Sequence, residues 1–565
     1  MKRIPFLLLV LAPLFASAQA TLIKSDVFGY DYIENLNGKL LFFATGPDEP
    51  YNYELWVSDG TEAGTMQLLD INGISDGSIL GNAYWGPAYT DKSWTIYNNE
   101  LYFIAADLTH GLEIWKTDGT AAGTGMLKDI YPGFNGFSTP EIFFPYFTEL
   151  DGKLYFSAND GVHGWELWVT DGSEAGTHMV IDISTDAYYG SNPEHLINFN
   201  GQLVFTARDD VYGLEVFISD GTAVGTHLLK DIIPGAYGSM NDGYAESIDP
   251  LFTVSGSYLY FVAHTEFVFP LTNDLYRTDG TEAGTIQLKT GLSDYTNFTD
   301  VNDQLFFYAF DGDYYHSGLW KSNGTPGGTT QVSETGDVAF SSEGHSFYAF
   351  DNTLFAYAYS SDFTQYGLGR SDGTTGGTTL VNTFEGLASV PEVYNFIADA
   401  GSDDFFFHVL KKVDAGSMSV RMCQSNGTTN GIHVFNGVRP FRSTVFKDGA
   451  LYFLGIDTTA DETYGLYRID PVTLEGGGTG VPESASDQPL TVFPDPASTF
   501  MQVQNGMSAD AVCVFYDMQG KLLLQKKILA HATAQIDVSA WTEGLYLCTI
   551  LSGAEQQSQH FVIVH

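Results

Sequence analysis

A twelve-residue stretch, Glu166-Leu-Trp-Val-Thr-Asp-Gly-Ser-Glu-Ala-Gly-Thr177, constrains this chain more than any other feature, because it returns eight times. Intact copies span 54–65, 113–124, 166–177 and 215–226, and looser ones span 274–285, 318–329, 367–378 and 421–432. A remnant follows at 465–471. The turn residue recurs as Asp59, Asp118, Asp171, Asp220, Asp279, Asn323, Asp372 and Asn426, at intervals of 44 to 59 residues. A period near fifty marks a propeller or an array. Within each copy a short apolar run ends in Asp-Gly, a small-residue loop follows, and a second apolar run begins. An Asp at such a corner accepts hydrogen bonds from the amides that follow it. Both glycines of the corner recur, and glycine is the least strained residue where φ is positive. Asn at 323 and 426 keeps the accepting oxygen and loses the charge, which a turn tolerates and an acid, base or hard-cation ligand does not. The Asp is therefore read as a structural turn.

The fourth unit gives the pattern of the others. His195–Asn200, Leu203–Ala207, Glu215–Ser219 and Thr226–Ile232 read as four short strands joined by tight turns. Asn-Gly or Asp-Gly opens the first turn at 37–38, 151–152, 200–201 and 448–449, a strong hairpin signal. No 3.6-residue periodicity is present. Strands such as 154–156 and 405–407 are apolar on both faces, as blades packed between blades require. Aromatics at 15% of the chain fit stacked strands. The last unit has three strands, 443–447, 451–456 and 464–469, and lacks a fourth. Thr21–Val27 reads like Thr226–Ile232 and would complete it, leaving no free sheet edge. The expectation is an all-β fold: residues 21–473 as one closed β-propeller of nine four-stranded blades, with eight blades as the alternative.

The flanks read differently. Residues 1–20 have a basic end, an apolar run from Phe6 to Phe15 and a small-residue cleavage site at 16–18, the pattern of a signal peptide. That run is too short to span a bilayer core of about 30 Å, and no later transmembrane segment is expected. Residues 474–489 are rich in Gly, Ser and Pro and read as a linker. Residues 490–565 read as a small β-sandwich, with strands at 500–503, 511–516, 521–526, 534–538, 544–551 and 558–564. Cys513 and Cys548 fall there, either as a disulfide or as two buried thiols. With 24 Lys+Arg against 69 Asp+Glu, a formal charge of −45 repels nucleic acid and anionic lipid.

The repeat resembles the ELWxxDGTxxGT family of exported bacterial proteins over roughly residues 30–470. That resemblance implies a repeat-built β fold and export, with no agreed activity. The C-terminal residues Phe493–Ser498, Val514–Leu522, Ile536–Ser539 and Glu543–Leu547 resemble the type IX secretion sorting domain (type A) of Bacteroidetes. Residue 495 is Asp where that family usually carries Asn, and the basic residues common at its end are absent. The resemblance implies export in two steps, the type IX machinery as a partner, and a secreted or cell-surface location.

No phosphate-binding loop, His-Glu-x-x-His or Cys-x-x-Cys is present. Arg277, Arg370 and Arg468 hold one repeat position and should be spread round the ring. Acidic loops at 159–160, 209–210 and 311–313 match no full Ca²⁺-binding loop. Glu54, Glu113, Glu166, Glu215 and Asp274 hold one slot in five consecutive units. They would form either a cation-gathering arc, with Ca²⁺ as the candidate ion, or, as favoured, acceptors for backbone amides of the neighbouring blade. No catalytic residue or organic cofactor is expected, because catalysis needs unlike groups brought together and the visible breaks in the repeat are losses. The long aromatic segments 73–92, 131–147 and 235–250 suit recognition, with Tyr84, Trp85 and Phe134 as candidate contacts. The functional expectation is a non-enzymatic binding or adhesion scaffold for an extracellular glycan or protein. The alternative is a secreted polysaccharide hydrolase or lyase of propeller fold.

Overall fold

The structure is a computed structural model. It describes residues 20–472 except 30–31, 47–52, 72–93, 108, 133–144, 241–248, 266–272, 312–316, 333–337, 341–346, 362–363, 384–391, 400–401, 415–416, 429–431, 436–437 and 458–462. Of the C-terminal region it describes 490–493, 500–505, 511–517, 522–528, 533–538, 541, 544–552 and 555–563. Two compact units are present, 1–481 and 482–565.

The first unit is a nine-bladed propeller. Each repeat makes one antiparallel sheet in strand order, a–b–c–d; in blade 1 these are Ile33–Leu36, Lys39–Ala44, Glu54–Ser58 and Met66–Leu69. Blades 2 to 8 begin at Trp94, Thr148, Glu194, Thr253, Leu292, Val338 and Glu392. Blade 9 takes Val438–Lys447, Ala450–Asp457 and Tyr464–Ile469 from the end of the repeat region and Thr21–Ser25 from its start. Thr21 lies opposite Arg468 and Ser25 opposite Gly465, and the Asp26 amide donates to the Tyr464 carbonyl at 3.0 Å. Val27 beyond it is buried. The blade count is therefore nine, with the N-terminal strand closing the ring.

The ring holds together through apolar layers between blades. Nine clusters of buried side chains each join two consecutive blades. The closing cluster joins Leu40, Phe42 and Trp56 of blade 1 to Tyr452, Leu454 and Leu466 of blade 9. Strands b and c are apolar on both faces because each face meets a different neighbour. Within a blade the aromatic of the motif stacks on its cross-strand partner: Trp56 on Phe42 at 6.4 Å, Tyr276 on Phe261 at 5.5 Å and Trp320 on Phe307 at 6.3 Å. Hydrogen bonds also link first strands of adjacent blades, from Asn35 Nδ2 to the Phe446 carbonyl at 2.9 Å and from Asn198 Nδ2 to the Glu149 carbonyl at 2.9 Å.

Two details differ from the sequence reading. The fourth strand of unit 4 is His227–Leu228, not Thr226–Ile232, because the chain leaves the ladder after Leu229 donates to the Val216 carbonyl. In blade 7 the first strand is two pieces, Val338–Phe340 and Tyr348–Phe350, both paired with Thr353–Ser360.

The second unit holds a three-stranded sheet, Leu490–Phe493, Phe500–Asn505 and Thr533–Asp537, and a four-stranded one, Leu522–Ile528, Ala511–Asp517, Gly544–Ser552 and Glu555–Ile563. Leu490–Phe493 is a strand the sequence reading omitted. Cys513 and Cys548 sit in its apolar core with Phe515, Ile528 and Ile536, as free thiols. Among the described residues no helix is long and apolar enough to cross a membrane.

Candidate functional site

An up-and-down blade gives the ring two unlike rims. The a–b turns and the Asp-Gly corners between c and d lie on one rim. The b–c loops and the connectors to the next blade lie on the other.

The corner rim is built for cohesion. Asp171 Oδ1 accepts from the Ser173 amide at 2.9 Å and the Ser173 hydroxyl at 2.6 Å, and the Ser173 hydroxyl accepts from the Gly176 amide at 3.0 Å. Thr170 and Thr177 share a hydroxyl–hydroxyl bond at 2.7 Å beneath the corner. The corner of Asp59 repeats this network, as do those of Asp118, Asp220, Asp279 and Asp372. Asn323 and Asn426 accept the same pair of bonds through Oδ1. Bonds from Ser173 hold the Asp171 carboxyl below its ordinary value. The two glycines recur for different reasons. Gly172 has φ +92°, whereas a Cβ on Gly176 would stand 2.1 Å from Asp171 Oδ1. The corner also rests on the preceding blade. Lys39 Nζ donates to the Gly119 carbonyl at 2.9 Å, Lys116 Nζ to that of Gly172 at 2.9 Å, and Arg277 Nε to that of Gly324 at 2.7 Å. Arg277, Arg370 and Arg468 stand on blades 5, 7 and 9, which are not consecutive.

The repeated acids sit where strand c starts, below the connector rim. Glu54, Glu113, Glu166, Glu215 and Asp274 are all buried. Glu166 accepts from the amides of Ile183 at 3.0 Å, Ser184 at 3.3 Å and Ser191 at 2.9 Å, and from the Ser191 hydroxyl at 2.5 Å. Glu215 accepts from the amides of Ile233 and Ser239 at 3.2 and 2.9 Å and from the Ser239 hydroxyl. Glu113 accepts from Ile130 and Tyr131 at 3.1 and 3.0 Å, and Glu54 from Ile71 at 3.4 Å. The donors thus belong to the connector leaving the same blade. Asp274 instead takes Thr265 and Gln287 side chains. Burial pushes Glu113, Glu166 and Glu215 up to about 7, against the pull of these donors. Among the described residues no three His, Cys, Asp or Glu come close enough to hold a metal ion.

The acids therefore fasten the loops that form the connector rim. Asp side chains fix the rest of it. Asp160 caps Val162 and His163, Asp186 caps Tyr188 and Tyr189, and Asp209 caps Val211 and Tyr212. Asp210 ties the blade 4 loop to the incoming connector through Ser184 and Thr185. His110 and His163 each bond an Asp three residues earlier, at 2.7 and 2.8 Å, which raises their pKa. Onto this frame the loops project Tyr188, Tyr189 and Tyr237, which are 66%, 59% and 62% exposed. Tyr131, Tyr212, Val162 and Val211 are exposed beside them. Tyr84, Trp85 and Phe134 lie outside the described residues. Tyr131 and Tyr237 lie in the segments 131–147 and 235–250 that the sequence singled out, whereas Tyr188, Tyr189 and Tyr212 were missed, although Tyr189-Gly-Ser191 and Tyr237-Gly-Ser239 follow Asp182-Ile and Asp231-Ile at similar distances and signal a second repeated element.

Comparison with known proteins assigns the end of the chain. Residues 491–564 match the secretion system C-terminal sorting domain family. The protein thus carries an address for secretion to the cell surface or beyond, by a type IX route, and its partner in export is that machinery. No curated protein sequence matches this chain. Among solved structures it is similar to puromycin hydrolase, at 14% identity over 71% of this chain and 63% of that one, TM-score 0.32. Prolyl oligopeptidase B from Galerina marginata gives 12% over 71% and 56%, TM-score 0.34. The β-propeller domain of the Trilobed protease from Pyrococcus furiosus gives 9% over 58% and 91%, TM-score 0.29. The chain spans 54% to 63% of the length of the first three structures it matches.

Proposed function

We propose that this secreted propeller is a non-enzymatic binding protein that meets an extracellular glycan or protein through its connector rim. One observation carries the reading. Among the described residues the exposed tyrosines are Tyr131, Tyr188, Tyr189, Tyr212 and Tyr237, and all five stand on the connector rim of blades 2 to 4. Solvent-facing rings on loops held by hydrogen bonds offer a contact surface. The repeated acids are spent on the loops beneath, so they are not offered to a substrate. The eightfold corner motif serves cohesion between blades. Tyr84, Trp85 and Phe134 fall by sequence in connectors of the same kind, and we include them among the contacts. The repeat itself we assign to the exported ELWxxDGTxxGT family, and residues 1–20 to a signal peptide.

The test is retention against turnover. Purified full-length protein is passed over immobilised polysaccharides and extracellular proteins, and the soluble polysaccharides are assayed for new reducing ends. Retention without reducing ends supports the reading. Turnover abolished by one carboxylate substitution overturns it in favour of a polysaccharide hydrolase or lyase.

A further inference from the structure

The exposed tyrosines form a row. Tyr131 comes from the connector between blades 2 and 3, and its ring covers Gly161 of the blade 3 loop, where a Cβ would stand 2.3 Å from it. Val162 follows in that loop. Next come Tyr188 and Tyr189, edge to face at 4.7 Å, held against blade 3 by the bond from the Trp165 amide to the Tyr189 carbonyl at 3.2 Å. Their connector is tied through Thr185 to Asp210, beside Val211 and Tyr212. Tyr237 ends the row, held by the bond from the Leu214 amide to its carbonyl at 3.3 Å. Each member therefore touches, or is bonded to, the loop that presents the next.

We propose that this row is a binding strip for a neutral polysaccharide, whose sugar rings lie on successive tyrosine faces. The proposal rests on the binding reading above and names its ligand class. Three properties of the strip select that class. The segments 129–132, 159–164, 182–193, 209–213 and 231–239 hold Asp129, Asp160, Asp182, Asp186, Asp209, Asp210 and Asp231 and no Lys or Arg, while the adjoining Lys128 and Lys230 donate to the Thr177 and Thr285 carbonyls of the next blade and Arg208 is half-buried. A sulfated, phosphorylated or uronate chain would meet like charge there. Four of these acids are engaged within the loops: Asp160, Asp186, Asp209 and Asp210 are bonded to amides and hydroxyls there. The strip thus offers ring faces, phenol hydroxyls and two valines, which complement the C–H faces and hydroxyls of an uncharged sugar. Finally, the row follows the loops of two consecutive blades, 3 and 4. An extended chain covers such a line, whereas a stable protein partner needs a broad patch of about 800 Å². Tyrosine rings on capped loops also lose little freedom on binding.

Full-length protein is tested by affinity electrophoresis and calorimetry against soluble xylan, mixed-linkage β-glucan and mannan, with alginate and polygalacturonate as anionic probes. The expected result is binding to at least one neutral polymer, none to the anionic ones, and affinity unchanged between 50 and 500 mM NaCl. Tyr188→Ala/Tyr189→Ala and Tyr237→Ala should each weaken binding at least tenfold, while Tyr188→Phe keeps it. Unchanged melting of these exposed-site variants would show that folding is intact. Failure to bind any neutral polymer overturns the strip. If an extracellular protein then binds and is lost in the same variants, the binding reading stands without the glycan. Equal binding of a neutral polymer by all variants also overturns the strip, since the site then lies elsewhere.

Discussion

Placing alanine at the second corner glycine should destabilise the ring only while the turn Asp is present. A Cβ on Gly64, Gly123, Gly176 or Gly225 would stand 2.0 to 2.2 Å from the Oδ1 of Asp59, Asp118, Asp171 or Asp220. None of these four glycines has positive φ, so alanine suits the backbone itself. The clash must be relieved by expelling the carboxylate or moving the turn, at about 1–3 kcal/mol per corner. The four corners lie on separate blades, so their effects should add, to about 8 kcal/mol. A ring of roughly 450 residues unfolds with an entropy near 0.9 kcal/mol/K, so the quadruple Gly→Ala variant should melt about 8 °C lower. In a background with Asp59, Asp118, Asp171 and Asp220 replaced by Ala, the space is vacant. The same glycine changes should then be neutral or stabilise by about 0.4–1 kcal/mol each, through the unfolded chain. Replacing those four Asp by Asn should cost less than replacing them by Ala, because Asn323 and Asn426 accept both bonds and only the charge is lost. Differential scanning calorimetry on the full chain reads all of these. A Gly→Ala penalty of equal size with and without the Asp would refute the reasoning.

Other expectations follow from the same geometry. Deleting residues 21–27 removes the outer strand of blade 9 and the buried Val27, and should lower the melting temperature of the ring; unchanged melting would contradict closure. Glu113, Glu166 and Glu215 are raised to about 7 in the native protein from an ordinary 4.5. The native state keeps protons that the unfolded chain has lost between those values. Stability is therefore full below about pH 4.5 and falls as pH rises to about 7, by about 1–3 kcal/mol per acid. The corner Asp carboxyls are lowered, so their contribution is kept above about pH 3.8 and is lost as pH falls. Urea midpoints across pH 3 to 8 should accordingly peak near pH 4 to 5. Deleting residues 490–565 should trap the protein in the periplasm, read by fractionation and surface proteolysis.

Much of the fold was legible because it is local and repeated. Asp-Gly corners, short apolar strands and a missing fourth strand at one end each follow from a few adjacent residues. They led to four-stranded blades, the N-terminal closing strand and a count of nine. What lay between distant residues was not legible. Gly176 reads like Gly172 in sequence, yet only folding brings the Asp171 carboxylate over it. Glu166 signals a slot, but its donors Ile183 and Ser191 are set by the path of the connector. Lys39 gives no sign that it holds the Gly119 carbonyl one blade away. Tyr212 looks no different in sequence from the buried Tyr97 and Tyr260, since exposure depends on which loops cap which.

Covalent closure is the most direct test of the ring. Thr21 and Arg468 are directly paired at the seam of blade 9, and neither is buried. Cys423 is buried; Cys513 and Cys548 lie side by side and could be linked by oxidation, so both are changed to Ala in the tested protein. In full-length protein carrying Thr21→Cys and Arg468→Cys, mild oxidation should link the two positions. Peptide mapping would then join the segments around 21 and 468, and the oxidised protein should melt above its reduced form. If both introduced thiols remain free and open to alkylation under oxidation, the N-terminal strand does not complete the last blade and the closed nine-bladed ring is wrong.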